Sequence, residues 1–384
     1  MYRCILILFI LNCNVLHASD SLLIPKLFQN LLNKQILESN FFKEGSFTSY
    51  RQHANKDELV ADNNIFYTAL IAYTLQDFKP YLTKDELIVS DTIINRTKKA
   101  FELYKNKKGR WSYNFWPTDN RKVFFPNDKL LSKFSEQLSL PDDLDDSGII
   151  LSVLGLNDSV AQVAHHQMQE FYNGNYSTIN NTYSEYKDSK SYSTWYGVKM
   201  PIDFDFGVHC NILSFVNRYN LPWSSVDSAT YNLILHMIDK KLYLESPQFI
   251  SPYYGSSPVL LYHISRLMSS KKLPDLENRK TIFINESKTL IEKTSNQLEK
   301  ILLQNSILKW GVDEKTLELP SESVNGIYNT TDFVYYTGHL FGHLNKTIRS
   351  LANKLSITQF KWYSASFNDC LLLENLILKY RKKN

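Results

Sequence analysis

The stretch Asp145-Asp146-Ser147-Gly148-Ile149-Ile150-Leu151-Ser152-Val153-Leu154-Gly155-Leu156 begins with two carboxylates and continues as an almost uninterrupted apolar run. A surface helix keeps its polar residues on one face, whereas a helix that is apolar on every face is typical of a protein interior. Aspartate is favoured at a helix N-terminus, because its side chain accepts hydrogen bonds from the free backbone N–H groups there. The stretch therefore predicts a buried helix that begins at an acidic loop.

The same pattern, a polar or aromatic loop followed by an apolar helix, recurs along the chain. A further candidate lies between Asp332 and His343, in TDFVYYTGHLFGH. The starts of the copies are about 50 to 80 residues apart, which leaves room for one returning helix and its loops. The other clear copies are NNIFYTALIAYTL (63–75), FGVHCNILSFV (206–216), SPVLLYHISRLM (257–268) and NDCLLLENLIL (368–378).

The segments between these copies are amphipathic. Thr83-Lys84-Asp85-Glu86 is a capping box, and the helix that follows it places Leu87, Ile94 and Phe101 on one face. A second amphipathic helix is predicted from Ser287 to about Leu308. Strand alternation is scarce, so the secondary structure is predicted to be helical throughout.

Apolar helices that alternate with amphipathic ones indicate repeated helical hairpins. We predict an all-α fold, an α/α toroid of about six hairpins with the apolar helices inside and the amphipathic helices outside. An open α-solenoid is the alternative, but solenoid repeats are usually more regular than these. No shift in composition marks an internal boundary, so residues 19–384 are predicted to form a single toroid domain.

Composition and charge exclude several function classes. The 384 residues contain 43 Lys and Arg against 39 Asp and Glu, and the formal net charge of +4 does not indicate a nucleic-acid partner. The chain has 12 glycines and neither a GxGxxG nor a GxxxxGK[ST] sequence, so no nucleotide cofactor is predicted.

The N-terminus is typical of a secretory signal peptide, predicted as residues 1–18. Arg3 precedes an apolar run from Cys4 to Leu16, and Ala18 is a small residue for cleavage. The rest of the chain has no apolar stretch of 18 residues, so no integral membrane span is expected. We therefore predict a protein that is secreted or placed in the periplasm or cell envelope.

Two cysteines, Cys210 and Cys370, remain after the predicted cleavage. In a ring of six hairpins their helices stand on opposite sides, beyond the roughly 7 Å that separates the Cα atoms of a disulfide. Two reduced, buried thiols are therefore expected. An open arrangement in which the two helices touch would instead allow a bridge.

Four aspartates stand within residues 142–146, at the start of the helix quoted above. Crowded carboxylates repel one another, which raises the pKa of at least one of them and keeps it protonated as a general acid. The helix N-terminus opposes this effect, because its partial positive charge favours ionised groups. Asp143, Asp145 and Asp146 are the candidate catalytic residues. The alternative is that one aspartate caps the helix and the others are solvated.

A second acidic pair, Asp203 and Asp205, precedes the apolar helix that begins at Phe206, and the toroid would place it at the same end as the first cluster. Asp205 is a further catalytic candidate and Asp203 a substrate-binding one. Aromatic rings stack on sugar faces and paired carboxylates cleave glycosidic bonds, so the combination is typical of glycan sites. The same rings would stabilise a carbocation, or simply pack between loops. The aromatic substrate-binding candidates are Trp111, Tyr113, Trp116, Trp195, Tyr196, Tyr253 and Tyr254.

Histidines occur at metal-ligand spacing where His339 and His343 follow Asp332, and Asp205 and His209 share that spacing. An HExxH glutamate is missing from that segment, and a histidine on an apolar helix is usually a hydrogen-bonded core residue. No metal site is predicted.

The acidic segment Asp143-Leu144-Asp145-Asp146-Ser147 resembles the DxDD motif of class II terpenoid cyclases. Arg110-Trp111-Ser112-Tyr113 is loosely similar to the tryptophan-containing repeats of the same superfamily, which includes protein prenyltransferases. The resemblance implies an α/α toroid in which Asp145 protonates the substrate, flanked by Asp143 and Asp146. Those cyclases place their site between two helical barrels, whereas this chain has the length for one, so the fold carries over better than the reaction.

Three functions follow as hypotheses. The first is an exported, acid-assisted hydrolase or lyase that acts on a glycan in an acidic, aromatic-lined cleft. The second is a toroid that binds a small molecule or oligosaccharide, or has a structural role, without catalysis, since fold does not fix function. The third is a terpenoid-cyclase-like enzyme that uses Asp145 as proton donor. Retention of a lipid diphosphate would favour the third, and binding of an acidic oligosaccharide with slow turnover the first.

Overall fold

The computed structural model describes residues 23–119, 140–197, 200–312, 331, 333–339, 347, 351 and 359–381. None of the helices in these ranges has the length and hydrophobicity needed to cross a membrane. The signal peptide predicted at residues 1–18 lies outside them. The helices are α1 (Leu23–Lys34), α2 (Phe66–Phe78), α3 (Lys84–Phe101), α4 (Leu144–Leu154), α5 (Asp158–Met168), α6 (Phe206–Arg218), α7 (Ser225–Asp239), α8 (Leu242–Glu245), α9 (Pro247–Ile250), α10 (Ser257–Ser270), α11 (Pro274–Glu277), α12 (Lys280–Lys293), α13 (Gln297–Lys309) and α14 (Ala365–Tyr380).

The apolar stretches form the buried helices that the sequence predicts. Helices α2, α4, α6, α10 and α14 correspond to the five clear copies, and most residues of each are buried. The predicted capping box before α3 is confirmed, because the Thr83 side chain accepts from the Glu86 backbone N–H and the Glu86 side chain accepts from the Thr83 N–H. Periodicity and capping therefore identified these elements correctly.

The sixth buried helix is α13, which the sequence predicted to be part of an outer amphipathic helix. Residues 294–296 interrupt that long helix and divide it into α12 and α13. Asn296 caps α13, and its side chain accepts from the Leu298 and Glu299 N–H groups. The polar residues Gln304, Asn305 and Ser306 of α13 are buried. The prediction was wrong because adjacent polar residues on a helix usually mark a solvent-facing side, whereas here they are buried.

The six buried helices contact one another in a cyclic order. Helix α2 packs against α4, α4 against α6, α6 against α10, α10 against α13, α13 against α14, and α14 against α2. Most of the other long helices lie against this set: α1 contacts α14 and α3, α3 contacts α2, α7 contacts α6, and α12 contacts α13 and α10. Helix α4 ends at Gly155, whose left-handed φ of 68° suits a residue without a Cβ.

The described residues are mostly helical, as predicted, but a small antiparallel sheet is also present, so the fold is not all-α. Its strands are β1 (Tyr50–His53), β2 (Leu59–Ala61), β3 (Tyr336–His339) and β4 (Gln359–Tyr363), in the order β2-β1-β4-β3. Strand β3 lies within the segment predicted to be the sixth buried helix. Its Tyr336 pairs with Trp362 of β4, and Tyr50 of β1 pairs with Tyr363. The sheet thus joins distant parts of the chain at the end of the molecule where α2 begins.

Candidate functional site

Backbone hydrogen bonds bring the two acidic segments together. The N–H of Leu144 donates to Thr194 O at 2.8 Å, and the N–H of Thr194 donates to Asp203 O at 3.0 Å. A backbone hydrogen bond also joins the loop before α4 to the aromatic segment around Tyr113, since Asp143 N donates to Tyr113 O at 3.2 Å. The start of α4 and the loop that leads into α6 therefore form one layer.

A cavity of about 220 Å³ opens at this layer. It is smaller than the roughly 300–1,000 Å³ typical of pockets for drug-sized ligands, so it suits a single ring or the end of a longer ligand. Its lining comes from the loops before α4, α6 and α10 and from strands β3 and β4 of the sheet. The lining residues are Asn114, Phe115, Trp116, Leu140, Pro141, Asp143, Trp195, Met200, Tyr253, Tyr336, Gly338, Phe360 and Trp362.

The aromatic rings of the lining form a connected group. Tyr336 lies at its centre: its ring stacks on Tyr253 with centroids 6.0 Å apart and on Phe115 with centroids 5.6 Å apart. Trp362 lies 5.5 Å from Tyr336, and Trp195 meets Tyr253 edge to face at 6.1 Å. Ring contacts of this kind fix one another's orientation, so the aromatic wall is largely preformed.

Asp143 is the carboxyl group that lines the cavity. It caps α4, and its Oδ1 accepts from the Asp146 N–H at 2.7 Å. Burial, and then the charge of Asp145, raise the pKa of Asp143 well above its ordinary value of 3.8. The hydrogen bond at the helix terminus acts in the opposite direction and is the weaker effect. Asp143 is therefore suited to hold a proton at the cavity surface.

Asp146 lies directly behind Asp143 and is 1% exposed. No donor within the described part of the chain reaches either of its carboxylate oxygens. Burial, and then the charge of Asp143, raise the pKa of Asp146 well above 3.8. An unsolvated carboxylate without donors is costly, so this pair of carboxyls is most stable when it shares at least one proton.

Asp145 is not part of the cavity lining and is held by two donors. Asn211 Nδ2 donates to it at 2.7 Å, and the hydroxyl of Tyr254 donates to its other oxygen. Burial raises the pKa of Asp145 to about 6, although these hydrogen bonds and the charge of Arg266 lower it. Arg266 is itself buried and lies over the Tyr73 ring at 4.0 Å. Asp145 is thus an acid with a raised pKa that the protein encloses.

Asp205 caps α6 and is completely buried. It accepts from Val208 N at 3.1 Å, from Ser251 Oγ at 2.7 Å and from Tyr253 N at 2.8 Å. Burial raises the pKa of Asp205 to about 7 in spite of these donors. Its contacts fix the Tyr253 backbone at the cavity and leave no oxygen directed at the lining, so Asp205 supports the site from behind.

Asp203 is connected with the cavity through Tyr253. The Tyr253 hydroxyl donates to Asp203 Oδ2 at 3.3 Å, and Asn181 Nδ2 donates to Oδ1 at 3.1 Å. Asp203 is 2% exposed and is not part of the lining. It therefore acts on the cavity through the orientation of the Tyr253 ring.

Asp62, which is not among the residues predicted from the sequence, stands behind two indoles of the lining. Trp116 Nε1 donates to Asp62 at 2.8 Å and Trp362 Nε1 at 3.1 Å, and Arg51 Nε lies 3.9 Å away. Burial raises the pKa of Asp62, while the charge of Arg51 and the two indole donors lower it. No local pattern marks this residue, because the two tryptophans are 246 positions apart in the sequence. Four further aromatic lining residues were not predicted, and their rings pack against one another in the cavity wall: Phe115, Tyr336, Phe360 and Trp362.

Several predicted aromatic site residues lie elsewhere. Tyr113 and Tyr196 are buried in the core, and their hydroxyls have no hydrogen-bond partner among the described residues. Trp111 packs under the ammonium of Lys105, which lies 4.2 Å from its ring. None of the three is part of the cavity lining. Tyr254 is also buried, and its role is to hold Asp145. Trp116, Trp195 and Tyr253 are the predicted aromatics that line the cavity.

Within the described ranges, no group of three His, Cys, Asp or Glu side chains is arranged to hold a metal ion. His343 and Asp332 lie outside those ranges. His209 is buried, its Nε2 contacts the Tyr192 carbonyl at 2.8 Å, and burial lowers its pKa to about 4. It is therefore a neutral core histidine.

Comparisons of the chain with protein-family models, curated proteins and solved structures found no match.

Proposed function

We propose that the protein is an exported α/α-toroid enzyme that hydrolyses a glycan, with Asp143 as the proton donor. The observation that carries the proposal is the position of Asp143, a carboxyl group with a raised pKa in the wall of a preformed aromatic cavity. Rings of this kind stack on the apolar faces of sugars. Export rests on the signal-like sequence of residues 1–18.

The toroid is supported by the cyclic contact order of the six buried helices. Helices with exposed polar faces alternate with the buried ones along most of the chain, as in a ring of hairpins with inner and outer members. The acidic loops before α4 and α6 then lie at one end of the ring. The sheet adds β3 and β4 to that end without interrupting the order of the helices.

In the proposed reaction, Asp143 gives its proton to the glycosidic oxygen as the bond between that oxygen and the anomeric carbon breaks. Water adds to the anomeric carbon and loses a proton to a carboxylate, so one water is consumed for each bond cleaved. That carboxylate is Asp143 itself, the one carboxyl group among the described lining residues, which has just given up its proton and takes one back from the water. Burial and then the charge of Asp145 keep the pKa of Asp143 high, whereas the hydrogen bonds with Asp146 lower it.

Hydrolysis is favoured over a lyase reaction by the charge of the lining. A glycan lyase removes a proton next to a uronate carboxylate, whose negative charge must be neutralised. The described lining residues contain no lysine, arginine or histidine. A uronate would instead meet the raised-pKa carboxyl of Asp143.

The test is turnover of a panel of end-labelled neutral, amino and acidic oligosaccharides by the wild type and by Asp143→Asn. Asparagine caps a helix nearly as well as aspartate, so the variant is expected to fold. Loss of a general acid is expected to reduce turnover about 10²–10⁴-fold. Asp158→Asn, at the exposed start of α5, is the matched control and should keep full activity. A fully active Asp143→Asn enzyme would refute the assignment.

A terpenoid-cyclase-like reaction is the second candidate, favoured by the pKa of about 6 at Asp145 and by its resemblance to the middle aspartate of DxDD. In that case the aromatic wall would stabilise a carbocation. Turnover of a lipid diphosphate that is lost in Asp145→Asn would select this candidate. Binding of a ligand without turnover, unchanged in both asparagine variants, would select a non-catalytic toroid.

A further inference from the structure

The cavity wall combines many aromatic faces with one acidic group. Seven of its lining residues are aromatic and one is a carboxylic acid, while the described lining contains no basic side chain. The face of an aromatic ring carries partial negative charge and attracts a cation that lies within about 6 Å of the ring centroid. A wall of this composition therefore presents negative potential from several directions.

Two carboxylates behind the wall accept hydrogen bonds from rings of the lining and polarise them. Asp62 accepts from the indole N–H groups of both Trp116 and Trp362, and Asp203 accepts from the hydroxyl of Tyr253. Hydrogen bonds polarise one another in a medium of low dielectric constant. An aromatic ring whose N–H or O–H donates to a carboxylate becomes more electron-rich. The rings of Trp116, Trp362 and Tyr253 should therefore bind a cation better than rings without such a hydrogen bond.

The structure already contains a cation on one ring of this wall. The Arg51 guanidinium carbon lies 5.3 Å from the centroid of Phe360. Arg51 also lies 3.9 Å from Asp62, so its charge is compensated there. Asp143 remains at the cavity without a described cation among the lining residues. In the proposed function Asp143 holds a proton and is neutral, so the attraction for a cation comes from the faces of the aromatic rings, and a ligand would supply the positive charge.

We propose that the cavity binds its ligand through a positively charged amino group. The proposal rests on the proposed function only in taking that ligand to be a glycan with a free amino sugar; the preference for a cation rests on the cavity itself. A trimethylammonium headgroup of a lipid is a second source of the same chemistry. A single ammonium-bearing ring fits the cavity volume of about 220 Å³.

The test compares choline with 3,3-dimethylbutan-1-ol, which has the same shape without the charge. Calorimetric titration should show that choline binds at least about tenfold more tightly, because several partly desolvated ring faces act together. In Trp195→Leu the affinity for choline should fall several-fold, and the affinity for the neutral alcohol should change little. Trp111→Leu is the matched control, since Trp111 is also half-buried but lies outside the lining. Equal affinities for the two ligands, or no binding of choline, would overturn the proposal.

The source of the cation is separated by further titrations. Tighter binding of a glucosamine trisaccharide than of its N-acetylated form assigns the site to amino sugars, whereas retention on phosphatidylcholine vesicles but not on phosphatidylglycerol vesicles assigns it to the headgroup. Choline binding without hydrolysis of any oligosaccharide would support the cation site and refute the proposed function. Hydrolysis of oligosaccharides with no preference for the free amine would support the proposed function and refute the cation site.

Discussion

Replacing Asp145 by asparagine should change how the stability of the protein depends on pH. Burial raises the pKa of Asp145 from its ordinary value of 3.8 to about 6. A carboxyl whose pKa is higher in the folded state holds its proton more tightly there. It therefore contributes stability that is fully present below pH 4 and is lost as pH rises through 6.

The magnitude follows from the two pKa values. The two pKa values differ by about 2, and each pKa unit corresponds to about 1.4 kcal/mol. Asp145 should therefore lower the unfolding free energy of the wild type by about 3 kcal/mol between pH 4 and pH 8. Asparagine stays neutral and can keep both contacts, accepting from Asn211 and donating to the Tyr254 hydroxyl. Relative to the wild type, the variant should therefore gain about 3 kcal/mol of unfolding free energy over this range.

The assay is urea unfolding of both proteins at several pH values from 4 to 8. Any constant difference caused by altered hydrogen bonds cancels, because only the change with pH is compared. Asp158→Asn, at an exposed position, should follow the wild type throughout. Parallel curves for the wild type and Asp145→Asn would show that burial does not hold a proton on Asp145, and would refute the reasoning.

Three further predictions concern the packing of the buried helices. Gly207→Ala should destabilise the protein by about 1–3 kcal/mol in thermal unfolding, because the added Cβ would lie 2.3 Å from the Tyr254 ring; a gain in stability would contradict this contact. Cys210 and Cys370 are both buried and free, so in protein that lacks residues 1–18 thiol titration should find two reactive groups per chain after denaturation without reductant, and none before it; a disulfide would contradict the helix order. Asn305→Ala should cost about 1–3 kcal/mol, since Nδ2 donates to a buried carboxylate and to a backbone carbonyl, whereas a solvent-facing residue would tolerate the change.

Local sequence patterns predicted the buried helices well where the apolar run was continuous. Residues 144–154 and 206–218 are buried almost throughout, and a run of this kind has no other stable environment in water. The burial of helix α13 was not predicted, because its polar residues Asn305 and Ser306 form their hydrogen bonds inside the protein. A single sequence does not distinguish a buried hydrogen bond from an exposed polar residue.

The sheet and half of the cavity wall depend on contacts between distant residues. Tyr50 pairs with Tyr363, and Asp62 binds Trp116 and Trp362, so no window of the sequence contains both partners. Strand β1 is short and polar, and it has no apolar alternation to detect. The acidic loops were recognised from their composition alone. Which aspartate faces the cavity depends on how α4 is turned in the fold.

The most direct test of the account is the titration of Asp143 by carboxyl ¹³C NMR in protein labelled at its aspartates. The resonance that is absent from Asp143→Asn assigns the group. Because burial and the neighbouring carboxylates raise its pKa, the Asp143–Asp146 pair should retain a proton well above the usual aspartate range. A midpoint for Asp143 near about 3.9, the value of an unperturbed aspartate, would contradict its role as the proton donor of the cavity.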